Sequence, residues 1–435
     1  MAFAPSSSRG VTPLIIAFAG MAALASAMGI GRFAFTPLLP MMLHDGVVDI
    51  PQGSWLATAN YAGYLAGALL YMALPWLLRR LGSRLDITTL NAWLVRAGLV
   101  ATALLTAGLA LPWPASWPAL RLLAGITSAL VFLGTVNWCM ARLAQLHAPA
   151  VGGMVFCGPG LGIALTGLSA SAMVAAQWTA AQGWAVFALL ACMLCAGVWR
   201  TFSPQQGPHG AGPAVAAQAA VPPPRSAPER ALLAVAYGLA GFGYIVTATF
   251  LPVIARAVLP AGSAWPDLFW PIFGAGVALG ALLSTRISPA RDRRVLLAWA
   301  YVLQAAAIAL GLLWPGRTGF ALGSLLLGLP FTAITFFALQ EARHQWPQAG
   351  AGFTGLLTAL YGIGQIVGPP LVAWLLVRAP SQAQGFDWAL SVAAGGLGAG
   401  GGAVWAHGLA LAASPLKSSQ IRLHPLLVKR QQLLL

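Results

Sequence analysis

The sequence predicts an all-α membrane protein with twelve transmembrane helices in two pseudo-symmetric halves of six. Three observations support this prediction. Hydrophobic residues make up 59% of the 435 positions and charged residues only 7%, well below the roughly 25% of a soluble domain. Twelve apolar runs reach the ~20 residues that a bilayer crossing needs. Finally, motifs of the first six runs recur in the last six in the same order.

The apolar runs give the expected position of each span. Connections between them are short, as expected for antiparallel neighbours, and tryptophan, which prefers the membrane interface, marks several ends. The runs cover residues 14–42, 54–78, 87–111, 118–141, 150–177, 183–202, 231–258, 266–287, 294–314, 319–341, 351–377 and 386–412.

A break after the sixth run divides the chain. Residues 203–229 are rich in Pro, Gly, Ala and Gln, which predicts a flexible cytoplasmic linker. It separates an N-terminal half, residues 1–202, from a C-terminal half, residues 230–413. Residues 414–435 form a basic cytoplasmic tail, for which disorder is the default expectation and binding to the anionic inner leaflet the alternative.

The net charge of +15 raises the question of nucleic-acid binding, and the positions of the charges answer it. Of the 23 Lys and Arg, 17 fall on one side of the predicted spans, three on the other and three within spans. This asymmetry follows the positive-inside rule and predicts a multi-pass protein of a bacterial inner membrane with both termini cytoplasmic. No basic stripe remains to bind DNA or RNA, so the lipid bilayer, and not a nucleic acid, is the expected partner.

One repeated stretch links the two halves. The run Gly29 to Pro40 contains Gly-Ile-Gly-Arg, and its frame returns as Gly241-Phe-Gly-Tyr, with a proline nine positions after the second glycine in both copies. The predicted counterpart of Arg32 is therefore Tyr244. Because both halves have the same orientation, their symmetry axis should lie along the membrane normal. Further matches pair Gly67 with Gly280 and Gly162 with Gly364.

Arg32 is the leading candidate for a substrate-binding residue. A cation in hydrocarbon costs about 2.5–3.5 kcal/mol on insertion scales, so such residues usually face protein or a water-filled path. The guanidinium presents a planar fork of donors that suits a carboxylate or phosphate, and Phe35 and Thr36 share its helix face. The structural alternative is an arginine that bonds the carbonyls of a glycine-loosened helix or snorkels outward.

Polar residues in other spans complete the expected site. Each could simply hydrogen-bond a neighbouring helix, or it could line a cavity. As a set, they are expected to fix the orientation of a substrate. The set consists of Asn60 and Tyr64 in the second span, Asn137 in the fourth, Tyr244 in the seventh, and Tyr361 and Gln365 in the eleventh.

The chain has eight acidic residues, and none falls in the middle of a predicted span. Proton-coupled carriers commonly use a buried carboxylate. Three alternatives therefore stay open: Glu341 or Asp267 couples protons at a gate, the substrate carries the proton, or the protein exchanges anions. Arg121, near the outer end of the fourth span, is either a gating residue or a snorkelling one, and Arg96 in the third span is expected to snorkel.

The remaining reactive groups predict neither a cofactor nor a metal site. All four cysteines fall within predicted spans, so Cys192 and Cys195 are expected to be small apolar helix residues although they form a C-x-x-C. The glycines from Gly158 to Gly162 lie inside an apolar helix, whereas a phosphate loop follows a strand. Scattered histidines disfavour a membrane enzyme, and the lack of a charged ring disfavours a channel.

After the second span, the sequence resembles the signature of the major facilitator superfamily. Arg80-Leu-Gly82-Ser-Arg84 matches the end of that signature, while Arg79 stands where an aspartate is expected. The resemblance implies that Arg80, Gly82 and Arg84 belong to the cytoplasmic gate, without the aspartate that normally latches it.

Other motifs extend the resemblance over essentially the whole chain. Arg121 and Gly125 match the Arg-x-x-x-Gly motif of the fourth span, and Gly158-Pro159 partly matches an element of antiporters. Gly-x-Gly-Arg-Phe in the first span and the run from Tyr361 to Pro369 resemble the YbfB/YjiJ-type branch.

The resemblance implies a secondary transporter, expected to be monomeric, that moves a small solute by alternating access. Three arginines within spans and no mid-membrane carboxylate favour an organic anion such as a monocarboxylate or a sugar acid. The alternative is a multidrug efflux antiporter. The partial antiporter element supports that alternative, whereas the lack of a buried acidic residue to attract cationic drugs opposes it.

Overall fold

The computed structural model describes residues 12–80, 82, 86–203, 227–287, 291–346 and 350–412. These residues form helices and turns, without a strand among them, and twelve helical stretches are long and apolar enough to cross a membrane. The prediction of twelve spans is confirmed. Residues 204–226 of the predicted linker, the basic tail and Arg84 lie outside the described residues, while residues 228 and 229, also assigned to the linker, belong to the seventh helix.

The spans, labelled α1 to α12, match the predicted runs closely. Their bounds are Pro13–His44, Ile50–Arg80, Ile87–Gly108, Pro114–Gln145, Pro149–Ala175, Ala180–Val198, Pro228–Val258, Trp265–Arg286, Arg293–Leu313, Arg317–Ala342, Phe353–Arg378 and Gln382–Ala406. Because the number of crossings is even, α1 begins and α12 ends on the same face of the membrane, which we call the terminal side.

The two halves pack in the same way. Within the first half α2 lies on α4 and α1 on α5, and within the second half α8 lies on α10 and α7 on α11. Between the halves, α2 lies against α11 and α5 against α8. The last segment of α1, Phe35–His44, contacts α7. The central residues of α1, α2, α7 and α11 therefore face a shared axis.

Glycines allow the helices of each half to approach backbone to backbone. A β-carbon on Gly67 of α2 would lie 2.5 Å from the carbonyl oxygen of Ile126, and one on Gly280 of α8 would lie 1.8 Å from that of Leu329. The two glycines paired by the sequence repeat thus make equivalent contacts with α4 and α10. Such close approaches are typical of small residues at helix interfaces in membranes.

Gly280→Ala is expected to destabilise the protein. The added methyl group would overlap a carbonyl oxygen of a rigid neighbouring helix, and overpacking costs about 1–3 kcal/mol. The measurement is the apparent melting temperature of the detergent-purified protein. Gly197→Ala in α6 is the control, since a β-carbon added at that position would have no neighbouring atom within 4 Å. Equal melting temperatures for the two variants would contradict the tight α8–α10 contact.

The first span is not a regular α-helix. Residues Ala25–Phe33 form a π-helix between two α-helical segments, Pro13–Leu24 and Phe35–His44. A π-helix bonds residue i to i+5 and is frequent at functional sites. It leaves carbonyl groups that need partners from elsewhere. In contrast, the corresponding helix of the second half, Ala227–Val258, is α-helical throughout.

The π-helix shifts the register of the repeat. Gly162 of α5 packs on Ala25 and Gly29, and its counterpart Gly364 of α11 packs on Gly238 and Phe242. Gly29 therefore corresponds in packing to Phe242, not to Gly241 as the motif indicated. A π turn takes one residue more than an α turn, which accounts for the one-residue difference.

Candidate functional site

Arg32 lies near the end of the π-helix, inside the first span, and is 2% exposed. Its Nη2 donates a hydrogen bond of 2.7 Å to Oε1 of Gln365 in α11. Its Nε and Nη1 are buried and have no hydrogen-bond partner. Leaving a buried charged donor unpaired is costly, so the guanidinium has unused capacity to bind a ligand.

Aromatic rings surround the Arg32 guanidinium. Its central carbon lies 3.8 Å from the ring centroid of Tyr64, 5.3 Å from that of Tyr61 and 5.2 Å from that of Phe33. Cation–π attraction stabilises a positive charge over a ring face. It does so without neutralising the charge or using the in-plane N–H groups, so those of Nε and Nη1 remain free for an acceptor.

Gln365 joins the two halves at this point. Its Oε1 accepts from Arg32, and its Nε2 donates a hydrogen bond of 2.6 Å to the hydroxyl of Tyr244. The two residues that the repeat predicts as counterparts are thus linked by one side chain of α11. Tyr361, one turn away on α11, stacks on Tyr244 at 5.9 Å and on Tyr237 at 4.6 Å between ring centroids.

No carboxylate balances the charge of Arg32. All eight acidic residues lie in the described part of the chain, and the ion pairs found there are His44–Asp45, Arg256–Asp267 and Arg294–Glu341. Arg32 is thus a buried cation that does not pair with any carboxylate of the described residues. In a low-dielectric interior, such a charge attracts anions strongly.

Arg121 of α4 supports the backbone around Arg32. It is 1% exposed, and its nitrogens donate long hydrogen bonds to the carbonyls of Leu56 at 3.4 Å, Gly31 at 3.5 Å and Arg32 at 3.3 Å. Its guanidinium also lies 4.7 Å from the ring centroid of Phe35. The structure places Arg121 among the carbonyls at the end of the π-helix, where a positive charge is favourable.

Asn60 has a similar position. Its Nδ2 donates to the carbonyl of Arg121 at 3.0 Å and to that of Gly31 at 3.4 Å, and its Oδ1 is buried without a partner. From the sequence, Arg32 itself was considered as the residue that bonds the carbonyls of its glycine-loosened helix. In the structure Arg121 and Asn60 bond these carbonyls, and the side chain of Arg32 instead points to the centre of the protein.

Two cross-half hydrogen bonds close the space beside Arg32 on the side away from the termini. Thr36 donates from Oγ1 to the carbonyl of Ala248 at 2.9 Å, and the hydroxyls of Tyr61 and Thr249 are 2.8 Å apart. All four residues are buried. In this conformation the central residues are therefore shielded from the face opposite the terminal side.

The two acidic residues predicted for coupling lie at the ends of spans. Asp267 begins α8 and pairs with Arg256 of α7, on the side away from the termini. Glu341 ends α10 on the terminal side and pairs with Arg294 of α9, while Gln345 also donates to it. Both carboxylates are buried in ion pairs and are separate from the Arg32 cluster.

Other candidates from the sequence lie outside the central cluster. Asn137 is exposed and donates to the carbonyl of Leu133 in its own helix at 2.9 Å. Arg80 is exposed, with its guanidinium 4.4 Å from the ring centroid of Trp76, and Gly82 follows with φ +67°. Neither Asn137 nor the Arg80 turn contributes to the cluster around Arg32.

The structure adds residues that sequence reasoning missed. Tyr61 and Thr249 close one side of the cluster, and Trp270 of α8 lies 6.2 Å from Phe33 between ring centroids, with its Nε1 buried and unpartnered. Tyr61, three residues before Tyr64 on one helix face, had a signal in the sequence. Trp270 had none, because its contact with Phe33 joins distant parts of the chain.

The described residues contain no group of three or more His, Cys, Asp or Glu side chains that could hold a metal ion. The four cysteines are free thiols. The side chains around Arg32 can bind a ligand through hydrogen bonds, charge and aromatic contact.

Comparisons with known proteins agree with the architecture. A family model described as "Uncharacterised MFS-type transporter YbfB" matches residues 24–404. No curated protein matches the chain at a significant level. Among solved structures, the chain is similar to a mutant of the nucleoside transporter NupG, with a TM-score of 0.66 and 13% identity, over 90% of this chain and 99% of the other. At this identity the likeness concerns the fold alone.

Proposed function

The chain belongs to the family of MFS-type transporters represented by YbfB, and from this we propose that it carries a small organic anion across the membrane by alternating access. Arg32 is the group that holds the anion. The two halves rock about this central residue and expose it to each side in turn, as in related folds with two repeated halves.

The observation that carries the proposal is the unused donor capacity of Arg32. The side chain is 2% exposed, and its Nε and Nη1 have no partner. Guanidinium nitrogens match the two oxygens of a carboxylate in a planar fork. A ligand carboxylate bound at either unpartnered nitrogen would balance the charge, whereas a neutral ligand would leave the charge uncompensated.

The walls of the site support a ligand with a flat or apolar body. Tyr64, Tyr244, Tyr361 and Trp270 present ring faces and edges toward the centre. Ligand pockets commonly combine such apolar walls with a few polar groups that fix orientation. The hydroxyl of Tyr244 and the unpartnered indole nitrogen of Trp270 are polar groups of these walls that could contact a ligand.

The position of the acidic residues bears on coupling. Glu341 and Asp267 lie at opposite ends of the spans and are paired with arginines, so neither can exchange a proton directly with a ligand at Arg32. This separation favours an anion exchanger or a carrier whose substrate brings its own proton.

We keep the bacterial inner membrane, with cytoplasmic termini, as the proposed location, because the charge asymmetry of the sequence supports it.

The test uses pairs of ligands that differ only in charge. Detergent-purified protein is heated with a panel of small carboxylates and, separately, with the primary amide of each. A ligand that binds the native state raises the apparent melting temperature by mass action. We expect at least one carboxylate to stabilise the protein while its amide does not. Equal shifts from both members of every active pair would overturn the anion proposal.

Two other substrate classes belong in the same panel. A neutral nucleoside is suggested by the stacked rings of Tyr237, Tyr361 and Tyr244, which could hold a planar base, and by the substrate named for NupG. Cationic drugs represent the efflux alternative, which the buried positive charge of Arg32 opposes. Stabilisation by nucleosides or drugs, without any carboxylate, would favour those functions.

A further inference from the structure

A groove of about 450 Å³ lies between α3 and α6, outside the central cluster. Its volume falls within the range of small-ligand sites. The lining combines small and bulky apolar side chains with a basic end, and consists of Val100, Ala103, Leu104, Cys192, Cys195, Ala196, Trp199 and Arg200. Leu104 is 67% exposed, so the groove is open to the surroundings of the helix bundle and is separate from the proposed substrate site.

Two arginines stand at one end of this groove. Arg96, one turn before Val100 on α3, donates from Nε and Nη2 to the carbonyl of Trp199 at 3.1 and 2.7 Å. Its guanidinium lies 4.8 Å from the ring centroid of Trp199. Arg200 follows directly and is exposed. Neither arginine forms an ion pair with a carboxylate of the described residues.

The basic end of the groove lies toward the terminal side. Spans alternate in direction from α1 onward, so α3 begins and α6 ends on that side. Trp199, just after the end of α6, is typical of the membrane–water interface. The apolar part of the groove thus runs along the two spans, and its charged end is level with the end of α6, where lipid headgroups are expected.

We propose that this groove binds one anionic phospholipid of the leaflet on the terminal side. Its acyl chain occupies the apolar channel between α3 and α6, and its phosphate contacts Arg96 and Arg200. Basic pockets between transmembrane helices are known to bind anionic headgroups on the cytoplasmic side. The positive-inside rule assigns Arg200 to that side, and the hydrogen bonds from Arg96 to Trp199 hold the Arg96 guanidinium at the same level. The planar backbone contact to Trp199 holds the Arg96 guanidinium at the mouth of the groove.

The test compares lipids of equal chain length but different headgroup charge. Native mass spectrometry of detergent-purified protein measures the retention of phosphatidylglycerol and of phosphatidylcholine. We expect tighter binding of phosphatidylglycerol to the wild type, and about 25-fold weaker binding to the double variant Arg96→Gln, Arg200→Gln, since each arginine near the surface contributes about fivefold. The single variant Arg200→Gln, which removes no hydrogen bond seen in the structure, should lose about fivefold.

Arg378→Gln is the matched control. Arg378 also lies over a tryptophan, 4.0 Å from the ring centroid of Trp374, but on the opposite face of the membrane. We expect this variant to retain phosphatidylglycerol as the wild type does. Two results would overturn the proposal, because each would show that only bulk lipid is bound. One is equal retention of the two lipids by the wild type, and the other is an equal loss of phosphatidylglycerol in Arg378→Gln and Arg200→Gln.

Discussion

Replacing Arg32 with glutamine should abolish anion binding while leaving the empty protein at least as stable as the wild type. The two unpartnered nitrogens offer a ligand two charge-assisted hydrogen bonds. Each is worth about 1.5–3 kcal/mol, so their loss should weaken binding by at least about 100-fold. Removing a buried, incompletely paired cation also relieves a desolvation cost. The measurement is the melting temperature with and without the most stabilising carboxylate.

The matched variants separate binding from folding. Arg32→Lys keeps the charge but not the planar fork, so it should retain weakened binding between that of the wild type and Arg32→Gln. Arg317→Gln, at the exposed start of α10, should bind as the wild type does. If Arg32→Gln is stabilised by carboxylates as strongly as the wild type, Arg32 is structural and the anion must bind elsewhere.

Replacing Gln365 with glutamate is expected to block the site from within. The new carboxylate would occupy the position of Oε1, 2.7 Å from Nη2 of Arg32, and form an ion pair with it. This ion pair would balance the charge of Arg32, which in the wild type a substrate anion balances. It would also fasten α1 of one half to α11 of the other. We expect a higher melting temperature for the empty protein, loss of stabilisation by carboxylates, and no transport in proteoliposomes.

Gln365→Met is the control for this prediction, because it has a similar volume but neither accepts from Arg32 nor carries charge. It should leave carboxylate binding intact while removing the bridge to Tyr244. Normal transport by Gln365→Glu would show that the anion does not compete for the Arg32 guanidinium.

The sequence was sufficient to predict the twelve spans, because each span must be long and apolar to cross a bilayer. The repeat predicted Tyr244 as the counterpart of Arg32, and the structure joins the two side chains by hydrogen bonds through Gln365. The π-helix could not be predicted. It depends on carbonyl partners, Arg121 and Asn60, that other helices supply.

The central cluster was only partly predictable, and for a similar reason. A polar residue in an apolar run signals a constraint but not its partner. Tyr64, Tyr244, Tyr361 and Gln365 do meet at Arg32. Asn137 is equally polar, yet it lies exposed and bonds its own helix, because its depth and direction follow from the packing of α4.

The wide turn in α1 also bears on how the two halves diverged. One residue added to a regular α-helix would rotate everything beyond it by about 100° and break contacts on one flank. Here the extra residue lies between Gly29 and Arg32, and the π segment absorbs it, so Gly29 still meets α5 while Arg32 and Thr36 still face the second half. An insertion could thus enter one copy of a duplicated helix without changing the helical phase on either side. The insertion changed only local features. Carbonyl groups of the π segment became available to Arg121, and the neighbouring position holds a guanidinium in one copy and a phenol in the other.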